Sequence, residues 1–82
     1  MAKISARGAT EVARLRVKTP TGLEKIYVLT SDKRILTRYV GDAGTGYTIR
    51  LTSRQFRQTH WTTGNPHAVL RAIAIHDGYN VI

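Results

Sequence analysis

Asn65-Pro66-His67-Ala68-Val69-Leu70-Arg71-Ala72-Ile73-Ala74-Ile75-His76-Asp77-Gly78 decides how the rest of this chain must fold. It reads as the only long helix. Asn65 can cap the first amides, and Pro66 at the next position loses nothing by lacking an N–H. Gly78 supplies the left-handed residue that ends a helix, and His76 sits near the negative end of the dipole. The intervening residues are apolar except for a narrow edge at His67 and Arg71. Such a helix needs a broad apolar cover.

The upstream chain supplies the cover as strands. Across residues 11–18, Ala13, Leu15 and Val17 alternate with Arg14, Arg16 and Lys18, the period-2 pattern of a strand with one buried face. Thr19-Pro20-Thr21-Gly22 is a turn. Residues 23–30 contain Ile26-Tyr27-Val28-Leu29, which suits an interior strand covered on both faces. After the turn at residues 31–34, residues 35–40 form a third strand whose inward face is open to either assignment. The glycine-rich stretch 41–46 reads as a hairpin tip; it lacks the Gly-Lys-Ser/Thr ending of a phosphate loop. Tyr47, Ile49 and Leu51 then alternate with Thr48, Arg50 and Thr52 as a fourth strand. Residues 53–64 are open to a helical turn capped by Ser53, a bent edge strand or a loop. Residues 79–82 are short and apolar enough to return as an edge strand.

The expected fold is therefore α+β: an antiparallel four-stranded meander, one C-terminal helix on one face, and a short fifth edge strand as an option. Residues 10–82 form one small domain, preceded by a flexible N-terminal arm at 1–9. The core is expected to join Val69, Leu70, Ile73 and Ile75 to Leu15, Val17, Ile49 and Leu51, at about 1.5–3 kcal/mol per side chain.

Composition narrows the partner. There are no cysteines, which excludes disulfides and thiolate metal sites. No apolar run approaches the roughly 20 residues that span a bilayer, and no apolar segment follows Lys3 as in a signal peptide. A cytoplasmic setting with no membrane role is expected. Thirteen Lys and Arg against five Asp and Glu give a net charge of +8 in 82 residues. That excess points to a polyanion, most often nucleic acid; solubility alone, or an acidic protein surface, is the plainer explanation.

If the alternating apolar sets face the helix, Arg14, Arg16, Lys18 and Arg50 face away from it, with Arg38 beside them. Alternation alone gives any strand a polar outer face. The sign is what singles this one out, since the set has no acid once Glu11 is set aside. Arginine suits phosphate because its fork binds bidentately. Arg54 and Arg57 are expected to extend the patch, and Trp61 is the best candidate for an exposed aromatic. Tyr27 and Tyr39 read either as stacking platforms or as core. His60, His67 and His76 match no metal-site spacing, and no cofactor motif is present. A metal-independent ribonuclease would need His60 or His67 beside Arg54 or Arg57, a weaker alternative to a non-enzymatic binder.

Strands followed by one packed helix, over about residues 11–77, resemble the DNA-binding domains of plant ethylene-response factors and the arm-site-binding domains of tyrosine integrases. This layout implies an Arg-rich sheet that meets DNA. Separately, Lys3-Ile4-Ser5-Ala6-Arg7-Gly8-Ala9-Thr10-Glu11-Val12-Ala13 is similar to the start of small proteins encoded by bacteriophages of actinobacteria. That implies action in an infected bacterial cytoplasm, on DNA or on a host protein. The expected partner is nucleic acid, DNA ahead of RNA, with a host protein as the alternative. The chain is expected to be a monomer or a homodimer through an edge strand.

Overall fold

The computed structural model describes residues 10–41, 46–61 and 64–82. The expected arm at 1–9 and most of the 41–46 tip lie outside the described residues. The elements are β1 (Glu11–Lys18), β2 (Glu24–Thr30), β3 (Ile35–Tyr39), β4 (Thr48–Ile49), α1 (Arg54–His60), α2 (Pro66–His76) and β5 (Asn80–Val81). The strands form one antiparallel sheet in the order β4-β3-β2-β1-β5. This is the α+β meander the alternation predicts, with the short edge strand in place. The segment left open in the sequence contains a second helix, α1, whose N-cap Ser53 accepts from the Phe56 amide.

The signals at both ends of α2 act as their chemistry requires. The Asn65 side chain accepts from the amides of His67 and Ala68 at 3.1 and 3.3 Å. At the other end Gly78 adopts φ 79°, donating to Ile75 while Tyr79 donates to Ala74. These are the two bonds of a Schellman ending, which favours a residue without a Cβ at this φ.

Cross-strand partners fix which residues share a face. Ala13 opposes Leu29, Leu15 opposes Tyr27, and Leu29 opposes Ile35. These side chains meet Val69, Leu70, Ile73 and Ala74 of α2, with Phe56, Trp61 and Tyr79 packed at the margin. On the other face Ile26, Val28 and Leu36 form a second, smaller cluster under Val40 and Tyr47. The run 26–29 of β2 is accordingly buried on both sides. The ambiguity in β3 resolves with Ile35 and Thr37 under the helices and Leu36 opposite.

Two core expectations are corrected. Ile75 is 67% exposed, because a single layer beneath α2 covers one stripe, and Ile75 lies on the far side of that stripe. Ile49 and Leu51 are 54% and 77% exposed. Ile49 pairs with Leu36 and Thr48 with Thr37, so β4 is turned over relative to the expected phase. A slip of one residue exchanges every side chain between faces.

β5 pairs with β1 only at Val17 and Lys18, with the Ile82 amide reaching the Arg16 carbonyl. Among the described residues no strand pairs the outer edge of residues 11–15.

Ile73→Ala is expected to cost about 2–5 kcal/mol and Ile75→Ala less than about 0.5 kcal/mol, read as midpoint shifts in urea unfolding.

Candidate nucleic-acid interface

On the face turned away from the helices, the strands present rows. Arg14 lies opposite Val28, then Leu36, then Ile49; Arg16 lies opposite Ile26, then Arg38; Lys18 lies opposite Glu24. Neighbouring strands stand about 5 Å apart and alternate residues about 7 Å apart. Arg14, Arg16 and Lys18 thus form a column along β1, and Arg38 faces them from β3. The apolar floor between them is the Ile26, Val28 and Leu36 cluster, against which long arginine stems can lie.

Two of these cations have carboxylate partners. Arg14 forks onto Glu11, Nη2 at 2.7 Å and Nε at 3.1 Å, and this hydrogen bond raises its pKa despite partial burial. Arg16 pairs with Glu24. Glu24 is a second acid on a face expected to carry none beyond Glu11. Both pairs are substantially solvated, so each contributes no more than about 1 kcal/mol and leaves its guanidinium open to exchange. Arg38 lies over the Tyr47 ring, 5.4 Å from its centroid.

Arg50 does not belong to this face. With β4 turned over, it points under the helices and grips Asp77 at the end of α2, Nη2–Oδ1 2.5 Å and Nε–Oδ2 3.2 Å. The Tyr27 hydroxyl donates to the same carboxylate at 2.5 Å. Burial, and then this hydrogen bond, push the Tyr27 hydroxyl well above its ordinary pKa. Burial would raise Asp77, but the bonds from Arg50 and Tyr27 outweigh it and hold the carboxyl below its usual value. The bond to Asp77 raises Arg50 in turn.

Arg57 also leaves the expected patch. It lines a cleft with Ile35, Arg50 and Trp61 at the β4 edge, and Arg54 stands one turn earlier on α1. Trp61 is half-buried against the helix-side core, edge-on to Phe56 at 6.1 Å, rather than exposed. Tyr27 is fully buried, whereas Tyr39 is exposed. Both rings, with that of Tyr79, surround the Lys25 ammonium at 5.0–5.9 Å.

His60 stands one turn after Arg57 on α1, while His67 and His76 belong to α2. His60 and His76 flank Phe56 at 4.5 and 6.5 Å. His67 is about two and a half turns from His76, on the opposite side of α2. Among the described residues no three His, Asp or Glu side chains converge to hold a metal, and no helix is long and apolar enough to cross a membrane.

The Arg50–Asp77–Tyr27 group had one faint signal in the sequence. An acid at the C-terminal end of a helix opposes the dipole and calls for a cation, but nothing local says which.

No family model, curated protein or solved structure matches the chain.

Asp77 has a side chain only 15% exposed, and its folded pKa lies below the ordinary 3.8. Its contribution is therefore present above the unfolded pKa and lost as pH falls through the folded one. Asp77→Asn should lower stability by about 2 kcal/mol at neutral pH and flatten the decline in melting temperature as pH falls below the ordinary carboxylate pKa.

Proposed function

We propose that this protein is a non-enzymatic nucleic-acid-binding module whose open sheet face meets the phosphate backbone through Arg14, Arg16, Lys18 and Arg38. The observation that carries this reading is the common side of these four cations, away from α1 and α2, on a rigid sheet. Phosphate can replace Glu11 and Glu24 at Arg14 and Arg16, because exposed ion pairs are weak whereas a guanidinium–phosphate fork is strong. DNA is favoured over RNA: the wide major groove of B-form DNA admits strands, while that of an RNA duplex is deep and narrow. Arg50 contributes nothing to this surface, being committed to Asp77.

A second reading, engagement of a host protein, draws on the β1 edge at residues 11–15, which no described strand pairs and which can accept an added strand. An acidic strand would suit the neighbouring Arg14 and Arg16.

With four phosphates neutralised, the logarithm of affinity for duplex DNA should fall against the logarithm of salt with a slope of about −3.6, measured by fluorescence anisotropy. Arg16→Ala should reduce the steepness by about one, and Arg50→Ala should leave it unchanged in folded protein. Absence of binding at about 50 mM salt would overturn the nucleic-acid reading in favour of the protein partner.

A further inference from the structure

Away from the sheet face, at the β4 edge, lies a cleft of about 200 Å³ walled by Lys33, Arg34, Arg50 and Arg57, with no acid among the described residues that line it. Arg50 is occupied by Asp77 and the Leu51 carbonyl, and Arg34 is shared with Asp32. Among the described residues Arg57 holds the Thr52 carbonyl through Nη1, leaving the rest of its fork. Lys33 is exposed and forms no ion pair with any described residue.

Three further features converge here. Lys33 adopts φ 63°, and among the described residues it is the only non-glycine in the left-handed region. Glycine or asparagine would relieve that backbone, yet the position carries a cation. Trp61 forms part of the wall, and its buried indole Nε1 has no acceptor among the described residues. Lys33 and Trp61 also line an adjoining cavity of about 210 Å³, otherwise mostly apolar, between Val12, Leu29 and Val69. The two spaces share Lys33 and Trp61 in their walls.

We infer that this double cavity is a binding site for a phosphate monoester carrying a flat ring, the chemistry of a nucleoside monophosphate. The phosphate enters the cationic cleft between Lys33 and Arg57. The ring takes the apolar side, against Val12, Leu29 and Val69 beside Trp61. The site is separate from the sheet face and stands whether or not that face binds nucleic acid. A free nucleotide and the phosphorylated end of a strand share this chemistry.

Trp61 is the sole tryptophan, so its emission reports the site directly. Adenosine and uridine 5′-monophosphate are titrated in parallel, with adenosine and inorganic phosphate as controls, and melting temperature is the second readout. At least one monophosphate should shift Trp61 emission saturably and raise the melting temperature, with the controls at least tenfold weaker. Lys33→Gly removes the charge while easing the backbone, and should weaken binding tenfold or more without lowering the melting temperature of the free protein. Arg16→Ala should leave it unchanged. Short oligonucleotides with and without a 5′-phosphate, added to an Arg14→Ala/Arg16→Ala/Arg38→Ala protein, identify the source. Preference for the phosphorylated strand over the mononucleotides indicates a strand end, and the reverse a free nucleotide. No response to any monophosphate or phosphorylated strand in either readout would overturn the inference. So would a response that Lys33→Gly leaves intact, or one equalled by adenosine.

Discussion

A carboxylate stands at the one end of α2 where the backbone already carries partial negative charge, and the fold is arranged around keeping it there. Asp77 follows the last turn of the helix. Alone it would be repelled by the free carbonyls. Arg50 from beyond β4 and the Tyr27 hydroxyl from the central strand hold it instead, joining three segments distant in sequence. The grip brings Arg50 beneath the helices, and with it the phase of β4. Ile49 then turns to the open face and Leu51 is left at the rim. Had β4 kept the phase of its hydrophobic alternation, Arg50 would have joined the outer cations and Asp77 would have lost its counter-charge.

That competition also marks where the sequence stops being readable. β1 and α2 are long and regular, and their periodicity fixes both the faces and the caps. Asn65, Pro66 and Gly78 act through local backbone chemistry, which is why the ends of α2 follow from residue identity. The strand at β4 is only two residues long. Over so short a length, alternation of Tyr47, Ile49 and Leu51 carries less weight than one partly buried ion pair to a residue far along the chain. Arg14, Arg16, Lys18 and Arg38 could be placed together because they belong to the regular strands. Arg54, Arg57 and Trp61 could not, since their position depends on how α1 docks through Phe56.

The charge distribution follows from a shortage of acids. Among the described residues each acid is paired with an arginine: Glu11 with Arg14, Glu24 with Arg16, Asp32 with Arg34, and Asp77 with Arg50. Three of these pairs are partly solvated and adjust the surface charge locally, while the fourth, least exposed, is structural. Cations exceed acids at two of the places described, the column on β1 with Arg38 and the cleft at the β4 edge near Lys33 and Arg57. One is a flat array over an apolar floor and the other a recess, so they suit anions of different shape.

The incomplete pairing of β1 has a colloidal consequence. Its outer margin at residues 11–15, which no described strand pairs, presents backbone groups that a second copy of the chain can capture, leading to stacked sheets. Two such copies would bring the Arg14 and Arg16 of each into register with like charge, and the repulsion acts as a gatekeeper against fibrous growth. Concentrated salt or a bound polyanion screens that repulsion, so the conditions that quiet the cations are also those in which this margin becomes adhesive.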